Sequence, residues 1–215
     1  MTAEIDDAKL TDVGFFSTEG GKILILACGA LAHEIIALRD QNGWDHIALT
    51  CLPAILHNSP EKIPEAVRAA VTKWREHYDQ IFVAYADCGT GGLLAQLCAD
   101  LGVEMIAGPH CYSFFEGNAA FAQRDEITAF YLTDFLTRQF DAFVWKPLGL
   151  DRHPQLREMY FGHYEKLVYQ AQTEDPALTE KARSCADRLG LAFERRFTGY
   201  GDLATALGAL PSSSV

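Results

Sequence analysis

Four short stretches put a thiol where an apolar run gives way to a loop: KILILACG, HIALTCLP, IFVAYADCG and VEMIAGPHC. Their cysteines, Cys28, Cys51, Cys88 and Cys111, are four of the six in the chain. Thiolates are soft ligands suited to zinc or to an iron-sulfur cluster, and three or four converging sulfurs are what such a site requires. The compact CxxC pairs of a zinc ribbon do not occur, so convergence has to come from the fold. His57 in LPAILHNSP offers an imidazole ligand; His110 stands beside Cys111 but points to the opposite face if the strand persists that far. The candidate metal set is Cys28, Cys51, Cys88 and Cys111, with His57 able to take the place of one sulfur, holding zinc or a [4Fe-4S] cluster. Taken singly, each of these thiols is equally well a small buried apolar residue. Cys98 and Cys185, inside the helical patterns LAQLCADL and ARSCADRL, read as core.

The run CGTGG adds a second kind of chemistry. A turn at a helix start presents unpaired N–H groups, so Gly89, Gly91 and Gly92 are candidates to bind an anionic cofactor group or to stabilise the Cys88 thiolate. The same glycines suit a tight turn with positive φ. Neither GxGxxG nor GxxxxGK[ST] is present, which excludes the dinucleotide fingerprint and the P-loop. Asp87 and Glu116 are the candidate acid and base groups. A metal-free alternative makes Cys88 a nucleophile with His57 or His110 as base, for a transferase or hydrolase. A third reading is a non-enzymatic accessory protein whose crevice binds a ligand or a partner domain, with the cysteines merely buried.

Such residues meet only if a scaffold brings them together. Short continuous apolar runs alternate with the helical patterns ALAHEIIALRDQNGW, IPEAVRAAVTKW and GLLAQLCADLG. That rhythm predicts an α/β fold, a mostly parallel, Rossmann-like sheet covered by helices on both faces. In an open parallel sheet the carboxyl ends of the strands face one crevice, which is where the four cysteines would gather. Beyond residue 112 the pattern loosens. The stretch ITAFYLTDFLTRQFDAFVW carries aromatic and apolar residues at helical spacing, DPALTEKARSCADRLG is a helix capped by Asp175, and LAFERRFTGYG reads as a last strand. Residues 1–20 form a loose or edge-lying lead-in, 21–208 one α/β domain with a C-terminal helical or α/β extension and a subdomain break near 127, and 209–215 a disordered tail.

The chain has 215 residues, enough for one well-packed domain, and a formal charge of −11 that argues against gripping phosphate backbones. The acidic stretch MTAEIDDAKLTDV is unlike a signal peptide, and no apolar run reaches membrane-spanning length, so a cytoplasmic protein with reduced thiols is expected and no membrane partner. A homo-oligomer is compatible with this composition.

Laid end to end, CGALAHEI, LPAILHNSPEKI, YADCGTGG and HCYSFFEG resemble the domain-of-unknown-function family 1638, over about residues 22–205. The resemblance implies that Cys28, His57, Cys88 and Cys111 are the recurring positions, and that Cys51 stands where an apolar residue is usual. It implies no settled activity. Members are often encoded among corrinoid-dependent methyltransferases, corrinoid proteins and their reductive activators. The implied role is one-carbon transfer or cobalamin reactivation, with methyltransferase components or a small thiol substrate as partners and a corrinoid carried by a partner protein.

Overall fold

The structure, a computed structural model, describes residues 6–16 and 21–211. The expectations for 1–5, 17–20 and 212–215 lie outside the described residues. The chain divides into two compact units, Met1–Phe114 with Asp202–Val215, and Phe115–Gly201.

The first unit opens with helix α1 (Asp7–Asp12), capped by the Asp6 carboxylate on the Ala8 N–H, and the two-residue strand β1 (Phe15–Phe16). The lead-in is thus edge-lying, as β1 pairs antiparallel with β3 (Ile47–Leu52). Its Phe16 ring stacks on Trp74 at 4.5 Å, which anchors the edge. Strand β2 (Ile23–Cys28) and helix α2 (Ala32–Asn42) precede β3; α3 (Ile63–Trp74), β4 (Gln80–Ala84), α4 (Leu93–Leu101) and β5 (Glu104–Met105) follow it. The sheet order is β1-β3-β2-β4-β5, parallel apart from β1. β2 is buried along its whole length and β3 along nearly all of it, as a parallel sheet covered on both faces requires.

The path runs from β2 outward to β3, then back past β2 to β4 and on to β5. With right-handed crossovers this reversal sends α2 to one face and α3 and α4 to the other, and opens a crevice between the carboxyl ends of β2 and β4. α3 buries Ile63, Val67 and Val71 at the expected spacing. β5 is much shorter than its apolar run suggested. Gly108 and Pro109 take the chain out of the ladder, and their carbonyls turn toward the loop after β4.

In the second unit, helix α6 (Asn118–Arg124) follows the single turn α5 (Ser113–Glu116), and ITAFYL forms strand β6 (Ala129–Leu132) where the sequence suggested helix. Helix α7 (Asp134–Arg138), a π-helical turn over Asp141–Trp145 and α8 (Leu156–Phe161) lead to β7 (Lys166–Ala171), α9 (Pro176–Leu189) and β8 (Ala192–Phe197). The three strands form a parallel sheet in the order β6-β7-β8. Leu132, Leu167, Tyr169 and Ala171 meet Leu178, Ala182 and Leu189 of α9 in its core. Asp175 caps α9 through the Ala177 and Leu178 N–H groups. The other face carries ions: Arg196 meets Glu126, Glu194 and Glu116, while Lys166 meets Glu126 and Glu194.

Candidate thiolate site

Each cysteine reaches the crevice for a local reason. Cys28 is the last residue of β2, at the mouth of a 3-10 turn, Gly29–Leu31. Gly29 has to be glycine, because a Cβ there would collide with the Leu10 carbonyl oxygen of α1. His57 closes a second 3-10 turn, Ala54–Asn58, two residues past β3. Cys88 sits in the turn after β4, and Cys111 in the loop after β5. Backbone bonds tie these two loops together: the Asp87 N–H donates to the Gly108 carbonyl at 2.9 Å and the Cys88 N–H to that of Pro109 at 3.0 Å. The tie brings the Cys88 and Cys111 sulfurs to 3.4 Å.

The turn has an unusual backbone. Cys88 adopts φ +47°, a left-handed conformation that disfavours any residue with a Cβ and whose strain tends to collect at functional positions. Asp87 holds the turn in place. Its carboxylate accepts the Thr90 hydroxyl at 2.7 Å, the Gly92 N–H at 2.7 Å and the Gly91 N–H at 3.1 Å. The amides of Gly91 and Gly92, expected to face a cofactor anion or the Cys88 thiolate, are therefore occupied by Asp87. These bonds, led by that of Thr90, lower the Asp87 pKa, so it is a fixed anion that organises the turn. Gly92 supports the turn at φ +86°.

Electrostatics separates the four thiols. The Cys88 pKa is lowered, first because the Cys111 thiol donates to its sulfur and then because His57 does, against the opposing effect of burial. Cys111 is correspondingly raised, by that shared bond and by burial. Burial pushes Cys28 up to about 12, and Cys51 well above its ordinary value. Burial also lowers His110, whose ring stacks on Tyr112 at 4.9 Å. Cys88 is thus the most acidic of the four thiols, with the Cys111 thiol and the His57 imidazole favouring its charged form and Cys28 within electrostatic reach.

Cys51 stands apart from this group. It pairs in register with Ala27, one residue before Cys28, so strand alternation turns the two side chains to opposite faces of the sheet. Its electrostatic neighbours are Cys28 and the buried Glu34 of α2. Glu116 is placed in the second unit. There its carboxylate, 4% exposed, accepts from Gln170 at 3.0 Å, from Arg196 at 3.4 Å and from Arg124, as the counter-ion of a structural network.

Two side chains that the sequence reading did not single out lie near these cysteines, Tyr85 beside Cys28 and Cys111, and Glu34 beside Cys51 on the other face. Tyr85 directly follows β4, its ring is 1% exposed, and its hydroxyl makes no hydrogen bond of ordinary geometry. Its polar surroundings are the sulfurs of Cys28, Cys111 and Cys51. Glu34 had a legible signal: it falls on the stripe Leu31, Ile35, Leu38, where an acid is out of place. Tyr85 had none, since a tyrosine after an apolar run looks like one more core residue.

The donors suit a soft metal in chemistry, two sulfurs, an imidazole and a further thiol. Among the described residues, no group of three or more His, Cys, Asp or Glu side chains is arranged so that it could already hold a metal ion. Among those residues, too, no helix is long and apolar enough to cross a membrane.

The model of the family described as protein of unknown function (DUF1638) matches residues 51–207, and the chain belongs to that family. The matched range takes in His57, Cys88 and Cys111; Cys28 lies outside it. No curated protein and no solved structure matches the chain.

Proposed function

We propose that this DUF1638 protein is a soft-metal thiolate protein. Cys88, Cys111 and His57 hold one ion, and Cys28 occupies the position that a substrate thiol takes in its turn. The observation that carries the reading is the 3.4 Å between the Cys88 and Cys111 sulfurs. Two thiolates on one tetrahedral zinc stand roughly 3.8 Å apart, as follows from Zn–S bonds of ~2.3 Å. The cysteines of a [4Fe-4S] cluster bind different irons and must lie further apart, so the spacing favours a single ion.

A zinc-class ion bound there would lower the pKa of a thiol beside it, so that a nucleophile exists at neutral pH. The chain's own residues supply the rest. Asp87 fixes the turn that carries Cys88, the tie between the two loops sets the sulfur spacing, and His57 accompanies the Cys88 thiolate. The reaction class is methyl transfer between a corrinoid carried by a partner protein and a small thiol in the cytoplasm. That assignment rests on the family resemblance.

Metal content of anaerobically purified protein, before and after cobalt(II) replacement, tests the site. One equivalent per chain with thiolate-to-cobalt absorption, lost in Cys88→Ser and in Cys111→Ser, is expected. Protein that takes up no ion overturns it, and a brown cluster chromophore overturns the single-ion form.

The metal-free nucleophile keeps a specific observation in its favour: Cys88 combines a strained backbone with an adjacent imidazole. Stoichiometric trapping of Cys88 by a substrate-like electrophile in protein that binds no metal decides for it.

A further inference from the structure

The turn after β4 holds a sulfur in a strained position. Gly89, Gly91 and Gly92 take φ values of +85°, +63° and +86°, yet the neighbouring position at φ +47° is Cys88 and not a fourth glycine. Glycine there would remove the strain, so what the position keeps in exchange is the thiol. The loop after β5 brings a second sulfur to it. Through the Gly108 and Pro109 carbonyls that loop is bonded to the Asp87 and Cys88 amides, and the Cys111 Sγ stands 3.4 Å from the Cys88 Sγ. A thiol is a weak donor and a sulfur a weak acceptor, so their mutual attraction does not account for the juxtaposition. A disulfide bond is ~2.05 Å long, so the two atoms need approach by only about 1.4 Å, with both loops still tied. The other cysteines are placed differently. Cys98 meets the Met105 thioether at 3.8 Å, which cannot form a disulfide, Cys51 faces the opposite side of the sheet from Cys28, and Cys185 lies in the second unit.

We infer that Cys88 and Cys111 are a dithiol–disulfide couple that exchanges two electrons with the disulfide of a small thiol compound. One sulfur of the pair, as its thiolate, attacks the compound's S–S bond, forming a mixed disulfide while one small thiol leaves. The second sulfur then attacks the protein-side atom of that bond, closes the Cys88–Cys111 disulfide and releases the other small thiol. Counted from the protonated pair, the protein gives up two electrons and two protons, and the compound takes up both to become two thiols. A surplus of the small thiol runs the same steps backward. No ion takes part, so the inference goes beyond the metal reading and stands without it. In the disulfide neither sulfur is a thiolate, so oxidised protein offers no sulfur of this pair to a metal.

The test uses the full chain, reduced and stripped of metal with a chelator, and oxidised glutathione as the probe. Released glutathione and protein mass are followed together. Wild-type protein should release two glutathiones per chain, retain none, and lose the mass of two hydrogens. A glutamate-specific protease cuts at Glu104, between the two cysteines. The fragments carrying Cys88 and Cys111 should stay joined until dithiothreitol is added, with fragmentation assigning the bond to Cys88 and not to Cys98. In Cys111→Ser the second step is missing, so Cys88 should release one glutathione and keep the other as an adduct; Cys51→Val should behave as wild type. Wild-type protein that retains a glutathione on Cys88 or Cys111, joins a different pair, or stays folded and unreactive overturns the inference. These outcomes are read on the wild type, so a variant that fails to fold does not rescue it. Metal uptake is measured apart: protein that binds zinc and fails this test keeps the metal reading, and protein that passes and binds none loses it.

Discussion

The sulfurs of Cys88 and Cys111, 23 residues apart in the chain, lie 3.4 Å from one another, within hydrogen-bond reach. One consequence is chemical asymmetry between two groups of the same type. Cys88 is lowered to about 5, with the Cys111 bond as the largest cause and His57 next, while Cys111 is raised. Cys88 is therefore a thiolate at every pH above that value, and the thiolate is the form that alkylates. In metal-free protein its iodoacetamide reaction should hold nearly constant from about pH 8 to about pH 6 and fall only as the pH drops through about 5. An ordinary thiol would already lose roughly tenfold per pH unit over that range. Cys111→Ala removes the donor, and the fall should move up by about one unit or more. An unmoved profile would show that the shared bond does not set the reactivity.

The strained backbone at Cys88 can be measured apart from its sulfur. Ala and Gly both delete the thiol, but only Gly adopts φ +47° without penalty. Cys88→Gly should be more stable than Cys88→Ala by about 1 kcal/mol in urea unfolding of metal-free protein. The usual sign in ordered positions with negative φ is the reverse. Equal stability would mean that the loop relaxes and stores no strain.

Much of this arrangement could be read before the fold was known. The apolar runs ILILAC, IALTCL and QIFVA became β2, β3 and β4 because strands buried on both faces carry no polar alternation to confuse the reading. Cys28 ends a strand, whereas Cys88 and Cys111 approach one another through the loops that follow β4 and β5. What escaped was decided by contacts distant in sequence. β5 shrank because Gly108 and Pro109 bond to Asp87 and Cys88, a pairing no local pattern announces. For Cys51 a single step along a strand reverses the face, and only the register with Ala27 shows which face it took. The strand β6 hid behind aromatic spacing that equally fits a helix.

Stability of the second unit should depend on pH through its ion network. Arg196, with a side chain 12% exposed, contacts Glu126 through both terminal nitrogens at 2.7 Å, and Lys166 and Tyr131 also donate to Glu126. These bonds, led by that of Arg196, hold Glu126 well below the usual carboxylate range, and they lower Glu194 as well. A carboxylate with a lowered folded pKa contributes stability in full above its unfolded value, near 4.5, and loses it as the pH falls toward the folded value. Unfolding free energy should therefore decline steadily below about pH 5. Arg196→Ala leaves three carboxylates facing one another and should cost about 3–5 kcal/mol at neutral pH, with a flatter acid limb. A variant that loses stability equally at all pH values would assign the effect to packing.

Cys51 provides the sharpest contrast with Cys28, because the two are neighbours in sheet and chemistry yet face opposite ways. Cys51 is 5% exposed and surrounded by apolar neighbours in β3, so Cys51→Val exchanges one small buried group for another. It should change stability by less than about 1.5 kcal/mol and leave metal content untouched. Cys28→Val is the same exchange by volume, also at a buried strand position, and should lower cobalt(II) affinity and abolish the third sulfur's contribution to the absorption band. The two variants are measured side by side, by urea unfolding without metal and cobalt(II) titration with it. If Cys51→Val loses the ion and Cys28→Val keeps it, the register argument is wrong and the site lies on the other face of the sheet, beside Glu34.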